Sequence, residues 1–383
     1  MQNLDTQVIG HYLASYLDDS DPVIQTRKEI FALRGSEAQS IVDLLHTLIN
    51  HPSLENSLRI LFVNGLNRLS ERSCCSPRSF VLKGIEIDPK HVTFTTNSDV
   101  HMGRARGQQL VAVKKIRLVG KEEIEPVLKD WAREAIIWSQ LSHPNLLPFY
   151  GIFYVDEEKS RIALVSPWME HGDLSQYLKN VPNANCEFLA MDISLGIEYL
   201  HTSIPKVTHG DLKPNNIFVT SSRTACIGDF GHAYSKDSQR KPLTSTRGPS
   251  YGGTWIYQSP EIFKDKPVSV EGDIYAFGMI LYEIFSKQQP FQGLKDMEIM
   301  DTVKNGGRPG RPKHGITDAL WALIQRCWTH DANERPAIDF IVQQLSSPIP
   351  QSERVSHIWD DSVRHQLRET YTLLEHPTTF RSK

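Results

Sequence analysis

His209-Gly210-Asp211-Leu212-Lys213-Pro214-Asn215-Asn216-Ile217, followed downstream by Asp229-Phe230-Gly231, is the stretch on which this sequence turns. Asp211 is a carboxylate able to take the proton of a hydroxyl. Lys213 sets an ammonium beside it, Asn216 adds an amide and Asp229 a second carboxylate. A base, a counter-charge and oxygen ligands are the parts that phosphoryl transfer from a metal-bound nucleotide requires. A three-residue motif alone is usually only structure. The weight therefore rests on what surrounds the stretch, and in what order.

The chain has 383 residues, room for one large domain with appendages or for two or three domains. Hydrophobic residues at 39% and charged residues at 23% describe an ordinary globular protein. A net charge of -3 gives no reason to expect a nucleic-acid partner. Cys74, Cys75, Cys186, Cys226 and Cys327 form neither a C-x-x-C pair nor a zinc spacing, which fits a reducing compartment. The opening MQNLDTQVIGHYLASYLDDS lacks the basic start and apolar core of a signal peptide. No run approaches the roughly 18 apolar residues of a membrane span. A soluble, cytoplasmic protein without a membrane partner is expected.

Residues 38–70 read as helix. Ile41, Leu44, Leu45 and Leu48 form one apolar stripe, and Leu58, Leu61, Phe62, Leu66 and Leu69 continue the pattern after Pro52. The cluster Ser73-Cys74-Cys75-Ser76-Pro77 then punctuates the chain. Short alternating segments follow from about residue 80, with Leu110-Val111-Ala112-Val113-Lys114 the clearest strand, and a helix spans Glu122 to Leu141. Helical patterns dominate from about 185, and Ile274–Phe285 is largely apolar, as a helix buried inside a lobe would be. Beyond Pro348, Trp359, Val363, Leu367 and Tyr371 recur at four-residue spacing and predict one last helix.

Lys114 in a strand, Glu134 on the next helix, then Asp211, Asn216, Asp229, Pro260-Glu261, Asp273 and Arg335 in that order resemble the protein kinase superfamily. The resemblance covers roughly residues 88–345. It implies an α+β, bilobal fold, with a small β-rich lobe over 88–168 and a helical lobe over 170–345; the apolar stripes outside it give a helical extension over 1–80 and a tail over 346–383. It implies ATP and Mg²⁺ as cofactors and proteins as substrates. Lys114 would hold the α- and β-phosphates and Glu134 would pair with it; Glu123 is the competing carboxylate. Asp211 would orient the substrate hydroxyl and accept its proton. Lys213 would neutralise charge on the transferred group. Asn216 and Asp229 would hold Mg²⁺.

The run Gly253-Thr254-Trp255-Ile256-Tyr257-Gln258-Ser259-Pro260-Glu261 resembles the serine/threonine form of the substrate-receiving loop, with Thr254 bonded to Asp211 and Lys213. Glu261 is expected to pair with Arg335 as a buried bidentate bridge. Ile162–Met169 reads as a strand entering the inter-lobe hinge. Ser166 would be the gatekeeper, the backbone at Pro167 and Met169 would face adenine, and Val100, Ala112 and Phe218 would sandwich it. Trp138, His209, Phe230 and Asp273 fit the family's internal stack. Ser-Pro-Trp-Met-Glu, His-Gly-Asp and Arg-Cys-Trp point to the tyrosine-kinase-like branch, similar to the kinases expanded in mushroom-forming fungi.

Two departures stand out. The glycine-rich loop is replaced by Thr93-Phe94-Thr95-Thr96-Asn97-Ser98, with no glycine before Gly103. Its N–H groups survive, and Thr93, Thr95 and Ser98 bring hydroxyls, so weakened nucleotide binding is expected. Gly210 stands where an arginine often receives a phosphorylated activation segment. Activity independent of phosphorylation at Ser238, Thr244, Ser245, Thr246 and Ser250 is therefore expected. Two alternatives stay open. One is a small-molecule phosphotransferase, against which Asp-Phe-Gly and the receiving loop both speak. The other is a pseudokinase scaffold. The flanking helices are expected to dock on the kinase domain or on a partner.

Overall fold

The computed structural model describes residues 2–17, 28–94, 98–105, 109–117, 124–155, 162–235, 255–264, 266–346 and 357–369. Two compact units emerge. One joins Met1–Leu141, Pro148–Trp168 and Trp359–Lys383; the other joins Ser142–Leu147 with Met169–Ile358.

The first unit begins with helices α1 (Gln2–Leu17), α2 (Gly35–Ile49) and α3 (Asn56–Ser73). The predicted helical stretch is thus a hairpin broken around Pro52. Helix α3 buries Leu58, Phe62, Leu66 and Leu69. In α2 the stripe is rotated from the expected one: Ala38, Val42, Leu45, Leu48 and Ile49 are buried, and Leu44 is exposed. Ala38 and Val42 extend the seam because the hairpin brings two helices close, where small side chains pack best.

Strands β1 (Glu86–Phe94), β2 (Ser98–Arg104), β3 (Leu110–Ile116), β4 (Gly151–Tyr154) and β5 (Ile162–Pro167) form an antiparallel sheet in the order β1-β2-β3-β5-β4. Helix α4 (Ile124–Ser139) follows β3 in the chain, and α3 packs along it. The pairs Lys114↔Val100, Lys114↔Leu164, Ala112↔Met102 and Ala112↔Ser166 set Val100, Ala112, Lys114 and Ser166 on one face of the sheet. Val111, Val113, Ala163 and Val165 line the opposite face and pack with Leu82, Ile85 and Leu367. Leu367 belongs to α11 (Asp361–Glu369), the helix expected from the C-terminal stripe; Val363 lies against the same cluster.

The second unit contains α5 (Leu174–Asn180), α6 (Cys186–Thr202), the short strands β6 (Val207–Thr208), β7 (Ile217–Val219), β8 (Ala225–Ile227) and β9 (Tyr234–Ser235), then α7 (Val270–Ser286), α8 (Asp296–Lys304), α9 (Asp318–Cys327) and α10 (Ile338–Ser346). Asp173, Asn185, Ser269 and Thr317 each accept a backbone N–H at the start of α5, α6, α7 and α9. In α7 every residue from Asp273 to Ile284 is buried, as its apolar composition predicted. Polar side chains inside such a helix need partners, and those of Asp273 and Glu283 build the site below.

Candidate active site

Asp273 organises the central loop from beneath. Its carboxylate, 2% exposed, accepts the backbone N–H of His209 and of Gly210, each at 2.9 Å, and the His201 ring nitrogen at 2.9 Å. Charge-assisted bonds of this kind fix a loop that has no secondary structure of its own. His209 is fully buried: Nε2 donates to Gly228 O (3.0 Å), and Nδ1 accepts from Asp211 N (3.3 Å). Its ring lies 5.4 Å from that of Phe230, which is also fully buried.

The loop then presents Asp211. Its Oδ2 accepts Lys213 Nζ at 2.7 Å and Asn216 Nδ2 at 3.1 Å. Asn216 Nδ2 also donates to Asp211 O at 2.8 Å, so carboxylate, lysine and amide form one knot. The β7–β8 hairpin, with Ile217 opposite Ile227, closes the distance to the Asp-Phe-Gly segment, and Gly228 N donates to Asn216 O at 2.8 Å. Asp229 follows at φ 60, a left-handed conformation that aspartate tolerates better than most residues. Both side-chain bonds of Asn216 use Nδ2, so Oδ1 is the atom that can ligate. An amide oxygen with the neighbouring Asp229 carboxylate is a hard-oxygen set that suits Mg²⁺.

In the first unit, Lys114 Nζ sits 2.9 Å from Glu134 Oε1, and the glutamate side chain is 5% exposed. The ion pair that the family resemblance implied is therefore formed; Glu123 lies outside the described residues. The Trp131 ring centroid is 5.8 Å from Lys114 Nζ. That cation–π contact was missed in the sequence, although Trp131 precedes Glu134 by three residues and shares its helix face. Ser166 is buried opposite Ala112, and its Oγ donates to Pro167 O at 3.4 Å. Pro167 pairs with Val111, which places its ring on the other face of the sheet, so only its backbone remains on offer to a ligand on the Ser166 face.

Of the residues expected in the phosphate-covering loop, Thr93 lies instead in β1 and is exposed, Ser98 opens β2 and is buried, and Thr95 lies outside the described residues. Gly103 is spoken for by packing, since a Cβ there would come within 3.1 Å of Val113 Cγ2 and 3.2 Å of Glu86 O. Phe218 lies in β7, opposite Cys226, and Met169 O accepts Gly172 N at 3.1 Å. Trp138 lies in the first unit, with its ring 5.3 Å from that of Phe149.

The run expected to receive the substrate is described from Trp255 onward, and Thr254 lies outside the described residues. Tyr257 OH donates to Glu283 Oε2 at 2.6 Å, an anchor inside α7 that the apolar pattern of that helix concealed. Glu261 and Arg335 form the expected fork, with Nη1 to Oε1 at 2.6 Å and Nη2 to Oε2 at 2.8 Å. Arg335 also donates to Glu271 O and Thr329 O, so the buried guanidinium is well satisfied.

The model for "Protein tyrosine and serine/threonine kinase" matches residues 90–345. Among curated proteins the chain is similar to the Arabidopsis thaliana "Serine/threonine-protein kinase VIK", 31% identical over 72% of this chain and 64% of the relative. It is also similar to the Dictyostelium discoideum "Probable serine/threonine-protein kinase drkC", 31% identical over 65% of this chain and 33% of the relative. A third, the Arabidopsis thaliana "Serine/threonine/tyrosine-protein kinase HT1", is 31% identical over 62% of this chain and 60% of the relative. The chain spans less than two thirds of the length of each of these relatives. It belongs to the protein tyrosine and serine/threonine kinase family, with a strand-built and a helix-built part of the expected bilobal α+β kind.

Proposed function

We propose that this chain is an ATP-dependent serine/threonine protein kinase with Asp211 as catalytic base. The observation that carries the reading is the knot at Asp211, where Oδ2 is taken up by Lys213 and Asn216. Oδ1 accepts no bond from the described residues and is the oxygen that can take a hydroxyl proton. Asp211 orients the substrate hydroxyl and receives its proton as that oxygen bonds to phosphorus and the nucleoside diphosphate departs. Lys213 balances the charge that gathers on the transferred group. Lys114, held by Glu134, supplies a fixed positive charge for the α- and β-phosphates, and Asn216 Oδ1 with Asp229 would hold Mg²⁺. Held there, Mg²⁺ would supply positive charge against the phosphate oxygens.

Protein rather than small-molecule substrates are supported by the receiving loop, whose Tyr257 and Glu261 are each anchored to a buried partner. Serine/threonine preference rests on Lys213 together with Thr254. Val100, Ala112, Ser166, Phe218 and the backbone at Pro167 and Met169 are assigned to adenine. Thr93, Thr95 and Ser98 are assigned to the phosphates. No helix among the described residues is long and apolar enough to cross a membrane, and we place the protein in the cytoplasm.

The test is phosphate transfer to a generic basic protein and to small alcohols, beside autophosphorylation, for wild type, Asp211→Asn and Lys114→Met. Transfer to protein alone, falling by on the order of a hundredfold or more in Asp211→Asn, is expected. Transfer to the alcohols, or equal activity in all three proteins, would overturn the proposal. Because the phosphate loop lacks glycines, affinity for Mg-ATP should be lower by about tenfold for each 1.4 kcal/mol of strain. A thermal shift should nonetheless appear at millimolar nucleotide; its absence would favour the scaffold reading.

A further inference from the structure

The C-terminal helix meets the helix that carries Glu134. Arg364 Nη2 donates to Ser139 O at 3.3 Å, and Ser139 is the last residue of α4. The final carbonyls of a helix have no partner within it and carry its negative dipole end, so a guanidinium there both caps and attracts. One turn on, Arg368 Nε donates to Tyr150 O at 2.8 Å, and its guanidinium lies 5.4 Å from the Phe80 ring centroid and 5.9 Å from that of Phe149. Its Nη2 is buried with no acceptor among the described residues, and the ring faces lie against the charge.

Phe149 joins this group to α4. Its ring sits 5.3 Å from Phe80 and 5.3 Å from Trp138. Trp138 lies four residues after Glu134, hence on the same side of the helix, one turn along. A second arm reaches in from α2, where His46 packs edge-on to Phe80 at 4.9 Å. An aromatic chain thus runs from His46 through Phe80 and Phe149 to Trp138, with Arg368 over its middle and Arg364 on the end of α4. Meanwhile Leu367, 5% exposed, secures α11 on the sheet face opposite Lys114.

We propose that Arg364 and Arg368 are positioning residues for phosphoryl transfer: they set the rotation and end-point of α4, so that Glu134 stays paired with Lys114. Helix α11 thereby acts as a built-in activator rather than a passive tail. The inference rests on the kinase reading for its catalytic consequence, but the mechanical claim about α4 stands apart from it.

The experiment uses the full chain. Amide hydrogen exchange is followed without nucleotide in wild type, Arg364→Ala, Arg364→Lys and Arg368→Ala, and initial rates of transfer to a basic protein are measured at varied ATP. In both alanine variants, exchange should quicken by about tenfold or more across residues 132–139, the scale of one lost charge-assisted bond, and stay unchanged in α7. Transfer at low ATP should fall by about tenfold, and Arg364→Lys, which can still donate to the carbonyl, should recover most of both losses. Losses from Arg364→Ala and from Glu134→Gln should not multiply in the double variant, because both act on one ion pair. Unchanged exchange in α4, or losses that multiply, would overturn the proposal. Should Arg368→Ala fail to fold, Arg364→Ala decides alone. Should wild type transfer no phosphate, the kinase reading falls and the exchange data still decide whether α11 positions α4.

Discussion

Gly210 shows how one residue can be required for two reasons. In the sequence it is the missing receiver for an activation-segment phosphate. In the structure it has φ 79, and a Cβ there would stand 3.0 Å from His232 O and 3.2 Å from Val268 Cγ2. Its N–H is at the same time held by Asp273. We predict that Gly210→Ala lowers stability by at least about 1–2 kcal/mol, the cost of a left-handed non-glycine residue, read from the urea midpoint. Gly210→Arg should lose more and gain no response to phosphorylation. Alanine at Ser238, Thr244, Ser245, Thr246 and Ser250, all outside the described residues, should leave the transfer rate nearly unchanged. The Glu261–Arg335 fork gives a second prediction at this scale. Burial alone would raise the Glu261 carboxyl, but the hydrogen bonds and charge of Arg335 outweigh it and hold the group below its ordinary value. Its contribution to stability is therefore complete above that value and is lost as pH falls through the lowered one. Removing the carboxylate with Glu261→Ala strands a buried guanidinium and should cost about 3–5 kcal/mol by denaturant titration.

At the scale of elements, the ends of helices explain why they stop where they do. Helix α3 ends at Cys74, in a left-handed conformation at φ 56, with its N–H returned to Ser70 O. Glycine takes up that conformation without penalty, so Cys74→Gly should stabilise the first unit by about 1 kcal/mol, seen as a higher thermal midpoint. Helix α2 shows the limit of pattern reading. Its leucines were visible, but the buried seam runs through Ala38 and Val42 and turns Leu44 outward. A stripe of large residues marks an apolar helix without fixing its rotation, because the partner's shape chooses which side is buried. By contrast, the β7–β8 hairpin needed no such choice: its strands are two segments joined by a short turn, and their pairing brings Asn216 beside Gly228.

At the scale of the whole molecule, the first unit gathers three separate parts of the chain, and one histidine reports on their meeting. His46 is pushed down to about 4, by burial first and then by the charges of Arg368 and Arg364 on α11. Asn50 Nδ2 can only donate, so His46 Nε2 accepts from it and the ring proton sits on Nδ1, facing Ser79 Oγ. The unfolded imidazole takes up its proton near pH 6.5, whereas the folded one resists until about 4. Between those values the unfolded state binds more protons, so stability is full above pH 6.5 and declines as pH falls. The loss is at most on the order of 3 kcal/mol. Urea midpoints at pH 7 and pH 5 should differ clearly in wild type and much less in His46→Phe. The sequence displayed both partners of this contact, a histidine within one amphipathic stretch and two arginines within another, and said nothing of their meeting.

What the sequence determined by itself is the family: Lys114, Glu134, Asp211, Lys213, Asn216 and Asp229 stand in the order and at the spacings that resemble it. Local motifs carry that information because their geometry depends on neighbouring residues, through a turn, a hairpin or one helical face. Only the tertiary structure decided what holds these residues in place: Asp273 under the loop of Asp211, Trp131 beside Lys114, Glu283 behind Tyr257, and α11 across the far face of the sheet. Apolar periodicity states that a surface must leave water, and burial is non-directional, so the identity of the covering surface is settled only when the whole chain packs.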